Sequence, residues 1–172
     1  MLNMKLLKFI PLIIFLIVSI FLYNKIKHQK ELEPLSSALI EKKFPTLKIN
    51  SIDNNDTIND FIKNKFVIIN IFASWCAPCR IEHEVLKSFS EEYTIVGLAY
   101  KDSIENIESF LLELGNPYKK VFYDFSGKES INLGLYGVPE TFFVNEESKI
   151  LYKHVGPINK MEFKKIISEI IH

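Results

Sequence analysis

The chain has 172 residues, 48% hydrophobic and 24% charged, with a formal net charge of zero. That balance argues against disorder and gives no reason to expect a nucleic-acid partner. The glycines are scattered and form no phosphate-cradling loop, so nucleotide chemistry is not expected either.

A short tail, residues 1–5, precedes an apolar block that runs from Leu6 to Asn24 and is interrupted by Lys8 and Pro11. At about 1.5 Å per residue the run from Leu6 to Tyr23 reaches roughly 27 Å, close to a hydrocarbon core if Lys8 snorkels. No Ala-x-Ala pattern follows it, so an uncleaved transmembrane signal anchor is expected rather than a removed signal peptide. Lys5 and Lys8 lie before the block and Lys25, Lys27 and Lys30 after it, so flanking charge does not set the orientation. Residues 25–39, with Pro34-Leu35-Ser36-Ser37, read as a linker, and a globular domain is expected over 40–172.

Within that domain, Thr46–Ile52 alternates as an edge strand would, with a turn at Asp53-Asn54-Asn55. A short capped helical turn is expected over Asp56–Ile62. Phe66–Phe72 is nearly continuous in apolar residues, as in a central strand covered on both faces. The helix that follows places Ile81, Val85, Leu86 and Phe89 on one face and Glu84, Lys87 and Glu91 on the other. Thr94–Tyr100 reads as a second buried strand. Ser103 caps a helix that Gly115-Asn116-Pro117 ends. Val121–Tyr123 is a short strand and Ile131–Leu135 a short helix. Glu140–Asn145 and Ile150–Val155 form an antiparallel pair, and an amphipathic helix closes the chain. Strands alternating with helices, then a hairpin and a helix, predict an α/β domain with a mixed sheet and helices on both faces.

Between the first central strand and its helix stands Trp75-Cys76-Ala77-Pro78-Cys79-Arg80, which holds both cysteines. Cys-x-x-Cys between strand and helix reads as a redox dithiol. Cys76 falls at the helix N-terminus, where free N–H groups and the dipole favour a thiolate. Cys79 lies one turn in, deeper, and would resolve a mixed disulfide. Pro78 fits the first turn, and Arg80 would add positive charge if it reaches. A zinc site would need about four ligands, and no second cysteine pair or histidine pair at ligand spacing exists. A purely structural clamp is unnecessary in a chain long enough to bury an apolar core.

These segments carry a wider resemblance. Trp75-Cys76-Ala77-Pro78-Cys79-Arg80-Ile81-Glu82-His83, Gly97–Asp102, Leu114–Tyr118 and Leu133–Phe142 resemble the CcmG/DsbE family, membrane-anchored thioredoxins of cytochrome c maturation. The likeness extends from about Leu32 to the C-terminus and implies a thioredoxin-like fold. It implies a cis Val138–Pro139 bond facing the dithiol, with the Val138 backbone free for strand-like pairing with a peptide. Trp75, Tyr136, Val138 and Pro139 become the expected substrate-binding residues. Ordinary thioredoxins carry a buried Asp six residues before the first cysteine, where this chain has Asn70. Asn cannot act as a base, so Glu82 or Glu140 would assist Cys79, whereas His83 is expected at the surface.

The resemblance implies a protein-disulfide oxidoreductase outside the cytoplasm, on the periplasmic side of the inner membrane. Its expected partners are apocytochrome c or a maturation protein, with re-reduction by a membrane donor of the DsbD/CcdA type. The redox-active Cys76–Cys79 disulfide would be its redox centre, with no metal or other cofactor. Without a His between the cysteines or a cluster of cations, a fairly reducing potential is expected. Three rivals share some of these features. They are a general extracytoplasmic reductase similar to ResA or TlpA-type proteins, a non-catalytic thiol module for metal delivery, and a peroxide-reducing enzyme.

Overall fold

The computed structural model describes residues 9–27, 39–49, 51 and 56–171. The tail, the start of the apolar block, most of the linker and the Asp53-Asn54-Asn55 turn lie outside the described residues. The chain divides into two compact units at Leu35/Ser36.

The first unit contains helix α1 (Ile10–Lys27), whose apolar side chains from Phe9 to Tyr23 are exposed on all sides. That stretch spans about 22 Å, short of the roughly 30 Å hydrocarbon core. Among the described residues no helix is long and apolar enough to cross a membrane. The expected span from Leu6 is therefore covered only in part.

The second unit runs α2 (Ile58–Ile62), β1 (Val67–Phe72), α3 (Ala77–Phe89), β2 (Ile95–Tyr100), α4 (Ile104–Leu114), β3 (Lys120–Asp124), α5 (Lys128–Asn132), β4 (Glu140–Val144), β5 (Ile150–Val155) and α6 (Lys160–Ile170). The sheet order is β3-β2-β1-β4-β5. β1, β2 and β3 are parallel, joined by crossover helices, while β4 runs antiparallel to both β1 and β5. Every β1 residue is buried, as its nearly continuous apolar run demands of a strand covered on both faces.

Alternation along β1 divides the core. Ile68 and Phe72 face α3, α4 and α6, packing with Leu86, Phe110 and Phe163. Ile69 and Ile71 face the other way, toward Phe44, Leu47, Ile58 and Ile62. Period-2 geometry does the same on β4, sending Phe143 to the first face and Phe142 to the second.

Three local expectations are corrected. Thr46–Ile49 is not a strand. Leu47 and Ile49 are buried, but the Leu47 N–H donates to Asn59 Oδ1 (2.8 Å) and the Ile49 carbonyl accepts from the Ile58 N–H (3.2 Å), so neither joins the sheet. The short helix expected at Ile131–Leu135 is instead Lys128–Asn132, with Gly127 (φ 73°) at its start. On α3 the buried stripe is Cys79, Glu82, His83, Leu86 and Phe89, and Ile81 is 73% exposed. The helix is covered by the sheet and also by the end of α4, so the apolar residues alone misplace its inner face.

Candidate active site

Cys76 and Cys79 form a disulfide with a Cα–Cα distance of 5.3 Å at the carboxyl end of β1. Cys76 is the N-cap of α3, its Sγ accepting the Cys79 N–H at 3.2 Å, and Pro78 occupies the first turn. The turn before it is held from the β2–α4 connection. The Ser74 N–H donates to Asp102 Oδ2 (2.7 Å) and Trp75 Nε1 donates to the Lys101 carbonyl (3.2 Å).

Cys76 is 4% exposed and Cys79 2%, so depth hardly separates them. Their surroundings do. Trp75, Ala77 and Pro78, which flank Cys76 in the chain, are exposed, as are Tyr136 and Gly137 ahead of Val138. The Val138 carbonyl oxygen lies 3.5 Å from Cys76 Sγ, and the Val138–Pro139 bond is cis. The structure thus brings Trp75, Cys76, Val138 and Pro139 together, with Pro139 itself buried.

Beneath the disulfide, Asn70 organises a buried polar network. Its Nδ2 donates to Glu82 Oε1 (2.7 Å) and Thr141 Oγ1 (3.0 Å), and its Oδ1 accepts from the Tyr118 hydroxyl (2.9 Å). Glu82 Oε2 accepts the Ile158 N–H at 3.1 Å, just ahead of α6. Glu82 is 1% exposed and, among the described residues, no cation is paired with it. Burial pushes its carboxyl up to about 7, with the two hydrogen bonds pulling weakly back. Burial also holds the Tyr118 hydroxyl well above its ordinary value, so it stays a donor.

Glu140, the other acid singled out from sequence, is differently placed. Its pairing with Ile71 puts it on the sheet face opposite Asn70, Phe72 and α3. There Oε2 forms an ion pair with Lys153 Nζ at 2.9 Å, both side chains buried, and Oε1 accepts the Tyr136 N–H at 2.9 Å. The two acids therefore sit on opposite faces of the sheet, and only Glu82 shares the disulfide's side.

Two neighbours depart from expectation. Arg80 is paired with Glu113 on α4 and stacks over Phe110, which commits its charge there. His83 is buried, not at the surface. Its Nε2 meets the Gly115 carbonyl at 2.7 Å, its ring stands edge-on to Phe110, and burial lowers its basicity. Sequence reasoning missed Thr141, Tyr118 and Lys153. Asn70 was the one available signal for the first two, since a polar residue inside an apolar strand must find partners. Among the described residues no group of three or more His, Cys, Asp or Glu could hold a metal ion.

Comparison with known proteins accords with this geometry. The Redoxin family model matches residues 40–169. The thiol:disulfide interchange protein DsbE of Tatumella citrea is 37% identical over 169 residues, 94% of this chain and 91% of the relative. The DsbE of Escherichia coli K12 is 38% identical over 157 residues, 87% of this chain and 85% of the relative. A solved thioredoxin-family protein from Chlorobium tepidum TLS shares the fold, with a TM-score of 0.61 at 22% identity, covering 76% of this chain and 97% of that one. With its thioredoxin-like mixed sheet and its Cys76–Cys79 pair, the chain belongs to the DsbE family of thiol:disulfide interchange proteins and is a thiol–disulfide oxidoreductase.

Proposed function

We propose that this oxidoreductase reduces disulfides of apocytochrome c, or of a protein that matures it, from a membrane anchor on the periplasmic side of the inner membrane. The observation that carries the reading is the Cys76–Cys79 pair at a helix N-terminus, next to exposed Trp75 and facing the Val138 carbonyl. Strand-like pairing with the Val138 backbone would seat a peptide in a largely sequence-tolerant way.

In the reduced protein, the Cys76 thiolate attacks one sulfur of the partner's disulfide. A mixed disulfide forms and the partner's other sulfur leaves as thiolate. Cys79 then attacks Cys76 Sγ, its proton passing to Glu82, whose raised basicity suits proton exchange near neutral pH. The partner departs with both sulfurs reduced, and Cys76–Cys79 is left oxidised. Two electrons must then return from a membrane donor, for which a protein of the DsbD/CcdA type is the candidate. Glu140 stays outside this proton path because it faces the other side of the sheet and is paired with Lys153.

Anchoring rests on α1, apolar on all sides in the described part, and on the apolar block that begins four residues earlier at Leu6. The test is capture in cells. Cys79→Ala, which cannot resolve, should accumulate reductant-sensitive mixed disulfides with cytochrome c maturation proteins or apocytochrome c, in the membrane fraction and resistant to carbonate extraction. Adducts with copper-site assembly proteins instead would favour the general reductase, and adducts in the soluble fraction would remove the anchor.

A further inference from the structure

Lys153 is a lysine on a strand, yet it is 2% exposed. Burying a charged amine is costly unless paired, so its partners define its role. Its Nζ donates to the Gly134 carbonyl at 2.6 Å, meets Glu140 Oε2 at 2.9 Å and lies 4.5 Å from the centre of the Tyr136 ring. Glu140 Oε1 in turn accepts the Tyr136 N–H. Lys153 faces Phe142 across the β4–β5 ladder, and Glu140 is the diagonal neighbour two residues earlier on the same face.

Every one of these bonds ends on the segment Gly134–Tyr136 or at the residue after Pro139. The segment is thus gripped at both ends, while Tyr136 itself is 68% exposed and Gly137 carries no side chain to anchor it. Among the described residues, no hydrogen bond or ion pair links Lys153 or Glu140 to the disulfide. We infer that the buried Lys153–Glu140 pair is a positioning device: it holds Tyr136 and the Val138 carbonyl where a protein substrate is read, and acts on recognition without taking part in sulfur chemistry. The inference rests on the proposed reading of Val138 as the peptide-pairing edge.

The consequence is a split between substrates. A peptide carrying a disulfide needs Tyr136 and Val138 in place, whereas a small-molecule disulfide needs only an accessible Cys76. In steady-state reduction assays with a Cys-x-x-Cys-His peptide disulfide and with glutathione disulfide, Lys153→Met should raise the peptide KM about tenfold with kcat changed less than twofold. The peptide-to-glutathione ratio of kcat/KM should fall by a similar factor, and Lys153→Arg, which keeps the charge, should restore most of it. If Lys153→Met fails to hold its fold by near-ultraviolet circular dichroism, Lys153→Met/Glu140→Gln carries the same expectation, because it leaves no buried charge unpaired. A wild-type protein that prefers the peptide, with that preference kept in the variant, overturns the lysine's role alone. A wild-type protein with no such preference overturns the recognition edge and the inference together.

Discussion

Glu82 is the residue where burial, chemistry and stability meet. Its carboxyl is pushed up to about 7 in the folded chain chiefly because it is desolvated, with no cation facing it among the described residues. Raising an acid's pKa on folding gives stability that is full below the unfolded value and is lost as pH climbs through the folded one. Going from the ordinary 4.5 to about 7 amounts to about 3 kcal/mol, lost between roughly pH 4.5 and 7.5. Glu82→Gln cannot ionise, so urea unfolding of the oxidised protein should show a wild-type decline from pH 5 to 8 that the variant lacks. A parallel decline in both would mean that another group carries the pH dependence.

Residue identity made some of this site readable and hid the rest. Cys76 and Cys79 are chemically conspicuous and lie one helical turn apart, whereas Glu82 came forward through the family resemblance and Asn70. His83 and Ile81 were inverted because α3 meets two surfaces, the sheet and the end of α4, and hydrophobicity predicts only that some stripe is buried. Lys153 was invisible: on a strand, a lysine reads as solvent-facing until the acid that neutralises it is seen across the ladder.

Among elements, long buried strands and capped helices were legible. β1, β2 and the β4–β5 pair announce themselves by apolar runs and a polar turn, and α4 is bounded by Ser103 and Gly115 as expected. The Thr46–Ile49 stretch was not, because alternating burial is satisfied equally by a strand and by an irregular segment whose backbone bonds to Asn59 and α2. β2 carries its own constraint at Gly97, which pairs with Asn70 in β1. A Cβ there would stand 2.8 Å from Phe72 Cε1 and 3.1 Å from the Tyr118 ring. Gly97→Ala should therefore cost about 1–3 kcal/mol by overpacking. It should also push Tyr118 off Asn70, which a shift in Tyr118 fluorescence or ring resonances accompanying the lower urea midpoint would report. An unchanged midpoint would show that the rings yield freely.

At the scale of the whole molecule, the described chain is an apolar helix and an α/β domain, in two compact units. In the domain, the parallel half of the sheet delivers the disulfide to the end of β1, and the antiparallel half delivers Val138–Pro139 to meet it. Neither half makes the site alone. The sulfur order within that site is tested most directly by mass spectrometry of single-cysteine variants mixed with a Cys-x-x-Cys-His peptide disulfide. Cys79→Ala should form a one-to-one covalent adduct through Cys76, lost on reduction, while Cys76→Ala, left with Cys79 inside the first turn of α3, should form little or none. Adduct formation by Cys76→Ala at the rate of Cys79→Ala would contradict the assignment of Cys76 as the attacking sulfur.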